Sequence, residues 1–253
     1  MPLPPIPIPM GISAFDSIAV LGDRIYVFGG VTGPGPGPGV PLATLWIYDT
    51  ITGAWVLGPP LPTGPLVGAS VAVMGSQIYI AGGSPAGQLG PGSVVHMSYD
   101  PFTGIYTPLA PLPVPTFRAH AAAVPFEGDA GTVHHFGNGI VDDPQHLEYD
   151  VATDTWAFDP PVPDGGVTDP GVVSEPHLGI VGVMGATAGG MGAPLIRLFD
   201  PFTDTWLPSS PMLVGASQTC GALYFDGIDG FVSTVGGFAG PVAVPENQMF
   251  TYW

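Results

Sequence analysis

The sequence predicts an all-β protein made from one four-stranded unit used five times, and three observations support this. A motif recurs as "YDTITGAW" (48–55), "YDPFTGIY" (99–106), "YDVATDTW" (149–156) and "FDPFTDTW" (199–206), with starts 51, 50 and 50 residues apart. Each copy is an aromatic, an Asp, two variable residues, a Thr, two more and a second aromatic. A glycine phrase keeps the same beat: "RIYVFGG" (24–30), "QIYIAGG" (77–83), a degenerate Gly137–Asn138 and Gly236–Gly237. Its fourth copy falls on Gly189–Gly190 or on the degenerate Gly185–Ala186. Between these landmarks lie short apolar runs rich in β-branched and aromatic residues, bounded by Gly, Asp and Pro, which read as strands and hairpins. Four strands per unit at a fifty-residue period is the signature of a β-propeller. The expected fold is a five-bladed β-propeller of four-stranded antiparallel blades, with residues 1–253 as one domain.

Within a unit, "SIAVLGDRIYVFGG" (17–30) supplies two strands around a Gly-Asp turn, and "TLWIYDTITGAWVL" (44–57) supplies two more around the recurring motif. Each motif leads into a proline-rich segment: "GPPLPTGP" (58–65), "PLAPLPVP" (108–115), "PPVP" (160–163) and "LPSSP" (207–211). The 39 glycines and 33 prolines make up more than a quarter of the chain. Long helices are thereby disfavoured, since Gly costs roughly 1 kcal/mol and Pro roughly 3 kcal/mol inside one. The fifth unit begins at Gly215 and reaches its third strand in "MFTYW" (249–253). The N-terminal "PLPPIPIP" (2–9) matches the proline segments that follow the other outer strands. It is therefore expected to supply the missing outer strand and close the ring. Prolines are tolerable on such an edge and discourage edge-to-edge association.

The double glycine, the Tyr-Asp pair and the Trp seven residues after the Tyr together resemble the kelch repeat, over nearly the whole chain. The resemblance implies a propeller in which the double glycine lets backbones approach closely where blades crowd, while Tyr and Trp fill the space between blades. Kelch relatives more often carry six or seven blades than five. It also implies a place for partner contacts, because kelch repeats often carry an arginine just before the innermost strand. Arg118 and His120 stand there in the third unit, Ala14 and Asp16 in the first, and Val67 and Ala69 in the second. Arg118 is expected to serve partner binding or an ion pair between blades. Copper radical oxidases on kelch-like propellers need a cysteine cross-linked to a tyrosine; Cys220 with Tyr224 four residues on offers no matching arrangement.

Charge narrows the function classes. The chain has no lysine, and Arg24, Arg118 and Arg197 face twenty carboxylates for a net charge of −17. Nucleic acid and anionic membranes need a basic footprint, so neither is an expected partner. Schiff-base lysine chemistry is excluded. The single Cys220 excludes an intrachain disulfide and a thiolate metal cluster, and is expected to be a buried, inert thiol. The N-terminal segment lacks the basic and apolar regions of a signal peptide. No apolar run reaches the ~18–20 residues of a membrane span, so a soluble protein is expected.

Candidate binding residues gather in loops. Those between the second and third strands (31–43, 84–94, 139–146, 238–247) are expected to share a face with the blade-to-blade connections (113–120, 163–177). The "GPGPGPG" run (33–39) reads as a ligand-contacting loop or a spacer. Asp142, Asp143 and His146, with Glu175 and His177, offer oxygen and imidazole donors to a divalent cation or an acidic surface to a partner. His134 and His135 fall inside a strand, where alternation sends the two rings to opposite faces and denies them a common metal. There is no G-x-S-x-G and no glycine-rich phosphate loop. The reading is a non-enzymatic binding or assembly module that presents a propeller face to a protein, peptide or glycan. The alternative is a small-ligand, lectin-like or metal-assisted enzymatic site at the central mouth. The binding residues assigned are Arg118, His120, Asp142, Asp143, His146, Glu175, His177 and Asp16, with no catalytic or metal residue and no cofactor.

Overall fold

The structure is a computed structural model. It describes residues 4–8, 17–32, 39–87, 90–126, 130–138, 143–167, 169–175, 179–184 and 195–208. Glu175 and the later strands (210–211, 220–225, 230–235, 238–239, 242–243, 247–251) are described as backbone. The chain divides into two compact units, Met1–Arg118 and Ala119–Trp253.

The first unit holds two four-stranded sheets. In the first, β1 (Ile18–Leu21) pairs with β2 (Arg24–Phe28), which pairs with β5 (Leu45–Asp49) and then β6 (Ala54–Leu57). The β2–β5 connection carries a small hairpin, β3 (Val31–Thr32) with β4 (Val40–Pro41), and the Gly-Pro run between them lies outside the described residues. The second sheet runs β7 (Val67–Met74), β8 (Gln77–Ser84), β9 (His96–Asp100), β10 (Ile105–Pro108).

The second unit repeats the plan. Its first sheet is β11 (His120–Pro125), β12 (Gly131–Phe136), β13 (His146–Asp150), β14 (Thr155–Phe158). The next is β15 (Gly171–Glu175), β16 (Ile180–Met184), β17 (Leu195–Asp200), β18 (Thr205–Trp206), with β19 (Ser210–Pro211) also on β17. In the last sheet β20 (Cys220–Phe225) pairs with β21 (Gly230–Val235), beyond which comes a hairpin of β22 (Phe238–Ala239) and β23 (Val242–Ala243). The chain then returns as β24 (Asn247–Thr251) beside β21. Five antiparallel sheets, with no helix among the described residues, match the predicted repeat, down to three strands in the fifth. Among the described residues no helix is long and apolar enough to cross a membrane.

The recurring motif is a hairpin held by its own side chains. Asp49, Asp100, Asp150 and Asp200 each accept, through Oδ1, the N–H groups two and three residues on. Such a carboxylate replaces the backbone partner that the turn lacks. The Thr hydroxyls of Thr103 and Thr203 donate to the second carboxylate oxygen at 2.8 Å. The two aromatics are cross-strand partners, with ring centroids 5.0 Å apart for Tyr48–Trp55, 4.8 Å for Tyr99–Tyr106, 5.1 Å for Tyr149–Trp156 and 5.1 Å for Phe199–Trp206.

Cores form between sheets. In the first unit Phe28, Leu45 and Tyr26 pack with Val71, Ile78, Ile80, Met97 and Tyr99. In the second, Val124 and Phe136 pack with Val162, Val167, Val181, Val183 and Phe199. Outer strands β6, β10 and β14 are exposed apart from Trp55, Tyr106 and Trp156. Residues 4–8 form no strand, which suits a segment whose Pro4, Pro5 and Pro7 have no amide for a ladder.

Candidate functional site

The loops after the second strands and the blade-to-blade connections are bonded to one another, so they do share a face. The Gly30 amide donates to Leu66 O and Leu42 donates to Gly30 O. In the next sheet Gly83 donates to Thr116 O, and Ser93 and Thr116 form a bridge. In the third, Asp143 and Val167 form the equivalent bridge. The double glycine makes this approach possible. Gly29 and Gly82 have φ of +61° and +70°, and a Cβ on them would collide with Leu66 O and with Thr116.

Arg118 closes the first unit just before β11. Its amide donates to Gly68 O at 2.8 Å, its φ is +54°, and its half-buried stem lies over Gly68. The backbone thus ties it to the innermost strand of the preceding sheet. His120 begins β11 and is buried. Asp143 is half-buried and its Oδ1 accepts the Gln145 amide at 2.8 Å. Asp16, Asp142 and His177 lie outside the described residues, and Glu175 is described only as backbone.

His146 is not a loop ligand beside Asp143, as the sequence suggested. It opens β13 at 2% exposure, with its ring 4.3 Å from that of Phe136 and 4.5 Å from that of Phe199. The register of β12 on β13 turns it inward, to His134. His134 Nδ1 lies 3.0 Å from His146 Nε2, and Asp159 Oδ2 lies 3.3 Å from each of those nitrogens. His134 Nε2 contacts Thr132 Oγ1 at 2.9 Å and lies 3.7 Å from Glu148 Oε2. His146 Nδ1 donates to Pro160 O at 3.2 Å. Burial, then the neighbouring His134, holds His146 well below the usual imidazole range. Burial, then Asp159, raises Glu148. His134, His146 and Asp159 are the group among the described residues that could hold a metal ion.

A kelch-motif model matches residues 17–62. An F-box/kelch-repeat protein of Arabidopsis thaliana is 39% identical over 79 residues, a stretch that covers 31% of this chain and 27% of that protein. The solved structure of YjhT superimposes with a TM-score of 0.68 at 17% identity, over 99% of this chain and 84% of the other. The chain therefore carries a kelch motif in its first repeat and shares its fold with that structure.

The kelch repeat shows how the buried cluster was missed. Alignment on the glycine phrase sets Tyr26 and Tyr79 against His134, and alignment on the Tyr-Asp motif sets Leu45 and His96 against His146, and Gly58 and Leu109 against Asp159. The backbone bonds agree: Gly58, Leu109 and Asp159 each donate to the carbonyl of Leu45, His96 and His146 in turn. In the first three units, only the third puts three metal-ligand side chains at these positions. His134 and His135 do point to opposite faces, His135 towards Trp156, as alternation requires. The partners of His134 come from other strands. Arg197 was missed as well: it is fully buried on β17, with Nε 3.8 Å from Asp164 Oδ2.

Proposed function

We propose that this kelch propeller is a non-enzymatic binding or assembly module, and that its 253 residues act as one domain. Its working surface is the face where second-to-third-strand loops bond to blade-to-blade connections. The observation that supports this most directly is the paired backbone at Ser93–Thr116 and Asp143–Val167. It ties irregular loops to a rigid frame, which is how scaffolds present recognition residues. Arg118 adjoins such a connection in the first unit, and Asp143 forms part of one in the second. The partner is a protein, peptide or glycan, and a net charge of −17 favours one with a basic or neutral contact surface.

The test uses the immobilised full chain to identify a partner and then compares variants. Arg118→Ala and Asp143→Ala should weaken binding, whereas Phe102→Ser in an exposed turn between third and fourth strands should leave it unchanged. The proposal fails if the turn variant abolishes binding while the loop variants retain it. It also fails if the purified chain turns over a small ligand and Arg118→Ala removes that activity with stability intact.

A further inference from the structure

We propose that His134, His146 and Asp159 form a site for one divalent transition-metal ion of the zinc class, inside the third sheet.

The proton positions lead there. Pro160 O can only accept, so its contact at 3.2 Å puts the His146 proton on Nδ1 and leaves a lone pair on Nε2. His134 Nε2 has Thr132 Oγ1 at 2.9 Å and the Glu148 carboxylate beyond it. With its proton on that side, His134 also presents a lone pair, on Nδ1. These two nitrogens and Asp159 Oδ2 all lie within 3.3 Å of one another. That oxygen belongs to a side chain only 10% exposed, and it has no hydrogen-bond partner in spite of lying 3.3 Å from both nitrogens. Two nitrogens and a buried carboxylate oxygen this close need a hydrogen or a cation between them. Either a proton or a metal ion supplies it.

The spacing favours the ion. Ligand atoms about 2.0–2.1 Å from a tetrahedral zinc stand roughly 3.3 Å apart. The three separations here are 3.0, 3.3 and 3.3 Å. A shared proton needs only two of the three atoms close, whereas an ion needs all three. The second layer also fits. Ligating imidazoles usually pass their other N–H to a fixed acceptor, as His146 does to Pro160 O and His134 can to the Thr132 hydroxyl oxygen. Two imidazoles and one carboxylate suit zinc and neighbouring divalent ions, and magnesium and calcium poorly. Phe136, Phe199 and Trp206 surround the His146 ring. The ion would tie β12, β13 and the segment after β14 together, a structural role that leaves the loop face to its partner.

Blade two supplies a variant built to fold. It places Tyr79, His96 and Leu109 at the three positions, so His134→Tyr with Asp159→Leu rewrites the cluster as packing the fold already uses. The chelator-treated full chain should bind one equivalent of zinc ion, by metal analysis after desalting. Its Tm should rise by about 5–10 °C at a hundredfold excess over Kd. The double variant should fold by circular dichroism, take up no stoichiometric zinc and show no zinc-dependent rise. Asp159→Asn, which keeps the shape and loses the charge, should weaken zinc binding at least tenfold. The proposal is overturned if the wild-type chain takes up no zinc, because a proton then fills the gap. It is equally overturned if wild type and double variant bind the same amount, because the ion then sits on other histidines.

Discussion

The Trp55 indole N–H donates to the Pro4 carbonyl oxygen across 3.0 Å, so the outer strand of the first sheet is bonded to the N-terminal segment. The same relationship recurs inside the chain. Tyr106 Oη donates to Pro59 O, and Trp206 Nε1 donates to Pro160 O, each at 3.0 Å. In both, the last aromatic of one unit reaches the proline segment that follows the outer strand of the unit before. Pro4 therefore holds the same place against Trp55 that Pro59 holds against Tyr106 and Pro160 against Trp206.

Removing residues 2–10 should lower the Tm by about 4 °C or more, a loss of roughly 1–2 kcal/mol for a chain of this length. Trp55→Phe should cost about 1 kcal/mol, the worth of one hydrogen bond. Calorimetry on both variants checks this. A truncated chain that melts with the full-length protein would make the segment a mere tail.

Glycines that look alike in sequence should differ in their response to substitution. Gly82→Ala combines a left-handed backbone with a collision against Thr116 and should cost about 2 kcal/mol or more. Gly53 is left-handed too, at φ +69°, but the nearest atom to its added Cβ is the Tyr48 hydroxyl at 3.8 Å. Asp154 and Asp204 hold the same turn position at φ 53° and 55°. Gly53→Asp should therefore cost less than about 1 kcal/mol. Denaturant unfolding of the two variants decides the matter, and equal losses would contradict it.

The turn carboxylates should make stability depend on acid. The Thr103 hydroxyl, then the Phe102 amide, holds Asp100 below its ordinary value of 3.8. The Thr52 amide is the chief cause of the same lowering at Asp49. A carboxyl depressed in the folded state binds its proton more readily when unfolded. Its contribution is present above 3.8 and disappears as the pH falls through the folded value. Thr103→Val should raise the Asp100 pKa, followed by carboxyl NMR titration, and flatten the loss of Tm on acidification. An unchanged titration curve would rule out the hydroxyl as the cause.

How much was legible in the sequence depended on the distance each interaction spans along the chain. The Asp49, Asp100, Asp150 and Asp200 turns and their aromatic pairs join residues two to seven apart, so the local string contains every partner. The period then repeats that string often enough to predict the sheets, their strand order and the faces their residues occupy. Gly29 and Gly82 could be read as places of close approach, but not as approaches to Leu66 and Thr116, which lie over thirty residues further on.

Composition and periodicity by themselves determined the repeat and its build from short strands and hairpins. Only tertiary structure decided which side chains meet. Alternation along a strand tells which face His134 occupies, but the partner on that face is set by register. The register of β12 on β13 brings His146 beside His134, and the turn of the chain after β14 brings Asp159 to both. A shift of either strand by one residue would have sent these side chains to opposite faces and left a surface histidine where the fold holds a buried one.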